Sequence, residues 1–198
     1  MVISYFRGEF PSAHTLPTVS GSYTERVNVG NSSILLTICD SNVYDEKFCP
    51  LSWLDTDVFL VCYSIGAPTS LDNVAKKWLP AIRRCCANTP FLLVGTKSDL
   101  RDIKIVCEND TLVDFRTAER EGQENGASCV MECSALTAVG LREVFDKAIR
   151  AAIKKAGRTG QLSVLTNDYT VPPQVAYQTC IVLGTLLSSH HDNLAATS

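Results

Sequence analysis

Hydrophobic and polar positions follow two successive grammars along this chain. Residues 22–30 (SYTERVNVG) alternate and residues 32–40 (SSILLTICD) are largely apolar, with Gly30-Asn31 between them. That pattern predicts an antiparallel strand pair closed by a tight turn. From residue 57 the pattern changes. Residues 57–65 (DVFLVCYSI) form a continuous apolar run, as expected of a strand buried on both faces. Residues 70–85 follow with helical spacing, Leu71, Val74, Trp78 and Ile82 sharing one face. Ser70 is the expected N-cap, and Pro80 should bend or locally disrupt this helix. A strand is predicted over 90–96 (PFLLVGT), a helix over 117–126 and a short strand over 128–134 (SCVMECS). The last helix, 140–157, has the apolar face Leu141, Val144, Phe145, Ala148 and Ile149, with Lys154 and Lys155 in its final turn and Gly157 as its stop. Strand alternating with helix predicts an α/β fold, a mostly parallel sheet with helices on both faces. Ligands of such sheets sit beyond the carboxyl ends of the strands, where residues 96–99 and 134–136 both fall.

Beyond Gly157 the character shifts. Residues 159–198 contain no Lys or Arg and only two acids, Asp168 and Asp192, and they include Pro172-Pro173. We therefore expect a domain over 1–157 and a low-charge, flexible tail over 158–198. The apolar stretch 175–187 is too short to span a bilayer. The net charge of −3 argues against a broad nucleic-acid-binding surface, and no basic cluster suits an acidic membrane. The first residues, MVISYFRGEF, lack the order of a secretory signal, so the expected location is cytoplasmic and the nine cysteines are expected reduced. Cys39 and Cys62 read as small core residues, and Cys129 and Cys133 as strand residues rather than zinc ligands.

The stretch 91–100 (FLLVGTKSDL) ends a strand in a polar hook, Thr96-Lys97-Ser98-Asp99. Taken alone, the hook is as well explained by an ordinary polar turn. Guanine offers N1–H and its 2-amino group as paired donors, and one carboxylate can accept from both, a pair that adenine lacks. Such a bidentate contact is worth roughly 1–3 kcal/mol of discrimination, by analogy with groove readout. Asp99 suits that role, Lys97 could lay its methylene stem over the ring, and the Ala135 N–H could reach O6. Glu132-Cys133-Ser134-Ala135-Leu136, one strand later, weights the balance towards a base grip.

At these residues the chain resembles the Rho/Rac branch of the Ras-like small GTPases. The resemblance runs over about residues 2–156 and is carried by EFPSAHTLPTV (9–19), PLSWLDTDVFLVCYSI (50–65), SLDNVAKKW (70–78), NTPFLLVGTKSDLRD (88–102) and ECSALTAVGLREVFDKAIRA (132–151). It implies a P-loop-NTPase-like small GTPase domain that binds GTP or GDP with Mg²⁺ and signals through Rho-type effectors and regulators to the actin cytoskeleton. It implies a guanine site of Thr96, Lys97, Ser98, Asp99, Ser134, Ala135, Leu136 and Phe10, the last packing against the base edge. Thr18 looks like the switch threonine that meets magnesium and the γ-phosphate. Asp40 looks like the aspartate that holds magnesium through water.

Three departures shape the functional expectation. Family members open with a strand, then a Gly-rich phosphate loop, then a helix; here residues 1–10 resemble only the end of that helix and the following loop, and no G-x-x-x-x-G-K-[ST] occurs in the chain. A base grip alone would hold GTP at roughly millimolar rather than nanomolar strength, a difference of about 8 kcal/mol. The missing strand belongs between the strand ending at Asp40 and the one over 58–64, so two buried strands are expected to lack partners, at about 1–3 kcal/mol for each unpaired group. After Asp40 the chain reads SNVYDEKFCPLSW, without the switch glycine and the water-orienting glutamine. SGSY (20–23) replaces the family effector segment, and 101–116 is shorter than the Rho insert region. Cys180-Ile181-Val182-Leu183 has the form of a prenylation box, but it is internal, so membrane attachment is expected only if Cys180 is lipidated after processing. The expected function is nucleotide-controlled signalling with impaired phosphate binding and hydrolysis. The alternatives are a non-hydrolysing interaction module or a truncated product.

Overall fold

The computed structural model describes residues 1–12, 22–29, 32–41, 53, 56–102, 112–158 and 177–184. The element order is α1 (Val2–Arg7), β1 (Ser22–Val29), β2 (Ser32–Ser41), β3 (Val58–Ser64), α2 (Pro68–Asn73), α3 (Leu79–Cys86), β4 (Phe91–Thr96), α4 (Phe115–Glu124), β5 (Cys129–Cys133), α5 (Leu141–Arg158) and β6 (Tyr177–Gly184). The strands form one six-stranded sheet in the order β1-β2-β6-β3-β4-β5. Only the β1–β2 pair is antiparallel, with Val29 opposite Ser32. The other four pairings are parallel.

The alternation inside β3 explains its unbroken apolar run. Val58, Leu60 and Cys62 face a core that they share with Ile34, Leu36, Ile38 and the α5 residues Val144, Phe145, Ala148 and Ile149. Phe59, Val61 and Tyr63 face the opposite core, with Leu71, Trp78, Leu79 and Ile82 from the α2–α3 segment and Ala118 from α4. A strand between two helical layers has no face left for polar residues. Burial drives the Cys62 thiol and the Tyr63 hydroxyl well above their ordinary pKa values.

Pro80 acts as expected. The turn before it, Val74–Trp78, widens to a π-helix, and the Leu79 N–H reaches back to the Val74 carbonyl. A proline cannot donate to the carbonyl four residues earlier and its ring crowds that group, so the wider turn relieves the clash. Two helix ends differ from expectation. Ser70 is not an N-cap: α2 starts at Pro68, and the Ser70 Oγ accepts the Ser64 N–H at 2.9 Å and donates to the Ala67 carbonyl at 2.6 Å. Gly157 does not stop α5, which continues to Arg158. The next helix begins earlier than predicted, at Phe115, because Asp114 caps it by accepting the Thr117 N–H at 3.3 Å.

The largest correction concerns the tail. Within residues 158–198, expected to be flexible, Tyr177–Gly184 is a strand that lies between β2 and β3. It occupies the slot of the strand that the chain was expected to lack. It pairs with β2 from Ile34↔Tyr177 to Ser41↔Gly184, and with β3 from Val58↔Ile181 to Val61↔Gly184. The backbone groups expected to be unpaired on these strands therefore have a partner. The apolar stretch 175–187 did not by itself declare a strand, because the pairing joins segments far apart in the chain. No helix of the described residues is long and apolar enough to cross a membrane.

Candidate functional site

The carboxyl ends of β4 and β5 lie side by side, with Thr96 opposite Cys133 in register. β4 ends in a tight sequence of bonds: the Thr96 Oγ1 donates to the Tyr63 carbonyl at 2.8 Å, and the Ile65 N–H donates to the Thr96 carbonyl at 3.1 Å. Lys97 then takes a left-handed backbone conformation, φ 64°, from which a 3-10 turn over Ser98–Arg101 begins. Such a φ is uncommon for a residue with a Cβ and marks a constrained, often functional position. The reversal exposes Lys97 and leaves Asp99 half-buried.

Ser134 binds this loop to the next. Its side chain is fully buried. The Oγ donates to the Asp99 carboxylate and accepts the N–H groups of Leu136 and Thr137, both at 3.1 Å. One hydroxyl thus sets the direction of the Asp99 carboxylate and the path of the loop that carries Ala135. The loop closes through the Ser134 N–H to the Val139 carbonyl at 2.9 Å, with Ala138 and Gly140 both at positive φ. A Cβ on Gly140 would lie 2.5 Å from the Glu132 carbonyl oxygen, so this turn requires glycine.

An ion pair behind the latch was not singled out from the sequence. Arg101 donates Nε to Glu132 Oε2 at 2.9 Å and Nη2 to Oε1 at 2.5 Å, and Nη2 also reaches the Val113 carbonyl at 2.7 Å. The hydrogen bond to Glu132 holds the Arg101 pKa above its ordinary value. This bidentate pair fastens the 3-10 turn to β5 and to the segment entering α4. Its sequence signal was the acid that opens Glu132-Cys133-Ser134 together with the basic residue two places after Asp99. Beneath it, the buried Tyr63 hydroxyl has no hydrogen-bond partner among the described residues, and a Cβ on Gly95 would lie 2.7 Å from it.

The structure brings together Thr96, Lys97, Ser98, Asp99, Ser134, Ala135 and Leu136. Phe10 is half exposed, in a cleft with Ile3, Arg7, Glu9 and Pro11 of its own segment. Asp40 is half-buried near the end of β2, in register with Leu183 of β6. Thr18 and the segment after Ser41 lie outside the described residues. Cys180 lies within β6, in register with Thr37 of β2.

A mostly parallel α/β sheet with paired loops at its carboxyl edge is the architecture of a small GTPase domain. A model of the Ras family matches residues 1–154, and the chain belongs to this family of small GTP-binding signalling proteins. The match ends within α5, so β6 lies beyond it.

The residues present fit a guanine base. A half-buried carboxylate, which accepts from a buried hydroxyl, stands two residues from an exposed lysine. The magnesium side is thinner. Among the described residues Asp40 is the single expected donor, and Mg²⁺ seeks six oxygens in octahedral array, usually completed by waters and phosphates. Asp40 suits that chemistry, but no group of three or more His, Cys, Asp or Glu that could hold a metal ion occurs among the described residues.

Proposed function

We propose that this chain is a Rho-like member of the family that reads guanine through Asp99 and Lys97 but holds the phosphates weakly and hydrolyses GTP slowly. The observation that carries the base-reading half is the Ser134–Asp99 latch, which fixes a carboxylate at the joined ends of two parallel strands. Lys97, raised by its left-handed backbone, covers one face of the base, and the Ala135 N–H meets O6. Asp40, with Thr18, serves the magnesium side. The weak hold on phosphate is proposed from the sequence. The chain contains no G-x-x-x-x-G-K-[ST] to offer a cradle of N–H groups and a lysine. No Gly-Gln follows Asp40 to sense the γ-phosphate and orient water, the positioning on which hydrolysis rests.

Titration with fluorescent GTP and GDP, with and without Mg²⁺, tests the proposal. Guanine-selective binding at about millimolar strength, with little Mg²⁺ dependence, is the expected result; ~1 µM or tighter binding that needs Mg²⁺ overturns the weak-phosphate half. A second reading, a protein interaction module without turnover, is favoured by one observation. β6 pairs with both β2 and β3 from within the chain, so the sheet is continuous among the described strands without a nucleotide. No binding at millimolar nucleotide would leave that reading standing alone.

A further inference from the structure

Among the described strands, β6 is the sole bridge between the β1–β2 pair and the β3–β4–β5 block. It is held at eight consecutive register positions along β2 and at four along β3. A strand flanked on both sides offers N–H and C=O groups to each neighbour, so its register is specified twice over. β6 also divides the candidate site. Asp40 lies on β2 to one side, and the Asp99–Ser134 latch lies at the ends of β4 and β5 on the other.

We propose that Tyr177–Gly184 is a built-in strand ligand. The slot between β2 and β3 is a register-specific strand-binding groove, its occupant is the C-terminal segment of the same chain, and insertion joins the Asp40 side of the domain to the Lys97–Asp99 side. The groove and its register stand on the pairing alone; the joining of two half-sites rests on the guanine reading above.

The occupant seen in the slot is the chain's own segment, and chain geometry permits it. α5 leaves the carboxyl end of β5, packs against β3, β5 and β6, and has 18 residues. At 1.5 Å per residue it returns the chain about 27 Å, to the edge where parallel strands begin. β6 must enter from that edge, because it runs parallel to β2 and β3. The step from β5 across β4 and β3 to β6 is three strand spacings, about 14 Å. Residues 159–176 could span about four times that distance at ~3.3 Å per residue.

Two single substitutions in the full chain test the register. Thr37→Cys stands opposite native Cys180, and Val182→Cys stands opposite native Cys39. Neighbouring strands place such pairs about 4.8 Å apart, within the range that a disulfide spans. After oxidation with diamide, peptide mapping should find both links within one chain. Leu35→Cys, two positions out of register, should link to Cys180 at least tenfold less. Links no more frequent than in that control overturn the groove, and links formed only between chains overturn the choice of occupant. Hydrogen exchange on the unaltered chain decides independently of any variant: amides of Tyr177–Gly184 should be as protected as those of Leu92–Val94, and exchange within seconds overturns the proposal.

The coupling is read with GDP on the Thr37→Cys protein in its oxidised form and on Ile181→Pro, which removes a donor from the middle of β6. Affinity kept in the first and lowered at least tenfold in the second supports it. Equal affinities overturn it. If the unaltered chain binds no guanine nucleotide, the guanine reading and this coupling both fail, while the cross-links and exchange still judge the groove.

Discussion

Replacing Ser134 with alanine removes one oxygen that serves three partners. The hydroxyl is fully buried, donates to the Asp99 carboxylate, and accepts the Leu136 and Thr137 N–H groups at 3.1 Å. The three losses are unequal. Leu136 and Thr137 are exposed residues, so water can take over much of what their N–H groups lose. Asp99 is half-buried, and a hydrogen bond to a charged group contributes about 1.5–3 kcal/mol. Together we expect Ser134→Ala to destabilise the domain by about 2–3 kcal/mol. At roughly 2–4 °C per kcal/mol for a domain of this size, the melting temperature should fall by about 4–12 °C. Leu136→Ala is the control: its side chain is 56% exposed, and its N–H contact survives the change. Scanning calorimetry of the three proteins side by side gives the answer. A Ser134→Ala protein that melts within about 1 °C of the parent, with Leu136→Ala, would refute the shared-latch reasoning and return Asp99 to the status of an ordinary turn residue.

Further substitutions probe the site and its supports. Asp99→Asn should lower GDP affinity and raise relative affinity for xanthosine diphosphate, because xanthine presents a carbonyl where guanine presents its 2-amino group and the new carboxamide can donate; unchanged base preference in a competition titration would remove Asp99 from the site. Gly140→Ala places a Cβ 2.5 Å from the Glu132 carbonyl at a φ of +69°, and should destabilise more than Gly126→Ala, where φ is +73° but nothing lies within 4 Å. The control should lose about 1–2 kcal/mol from backbone conformation alone, so equal losses in urea titration would disprove the steric term. Alkaline stability tests the buried thiols. Burial first, with the Glu132 carboxylate adding to it, pushes the Cys133 thiol up from 9.0 to about 11. A group held protonated in the fold contributes stability that is complete below pH 9 and lost as pH rises through about 11. The melting temperature should therefore decline across pH 9–11, less steeply in Cys133→Ala.

How far the sequence anticipated this structure depends on how local each signal was. The run over 57–65 declared itself because β3 is buried on both faces, and Leu71, Val74, Trp78 and Ile82 showed their helical face because one core layer takes all four. Pro80 announced its π turn by covalent chemistry. Ser70 and Gly157 misled because cap residues are read from type, whereas Ser70 is drawn to the β3–α2 turn and only Arg158 follows Gly157 in α5. The residues proposed to read guanine could be named from their types, but the donor role of Ser134 and the Arg101–Glu132 pair required two strand ends to be seen together. The family match supports the class that the ordered motifs suggested.

β6 escaped that reading for a reason that its position now explains. Residues 159–198 carry no Lys or Arg, and low charge with scattered Ser, Thr and Pro is also what a loose tail looks like. Central strands of parallel sheets are under the same compositional restriction, because such sheets are covered on both faces and buried charge is costly. The stretch YQTCIVLG carries no charge at all, and its four consecutive residues from Cys180 to Leu183 are apolar. What separates the two cases is a partner, and both partners, Ile34–Ser41 and Val58–Val61, lie more than a hundred residues upstream. Pairings of that separation cost loop-closure entropy before they repay it. The strand that completes the sheet is also the last among the described strands, so β2 and β3 have an open slot between them for as long as it is unpaired. Open edges of this kind are templates for pairing with other chains, and β2 and β3 carry that hazard wherever Tyr177–Gly184 is not paired between them.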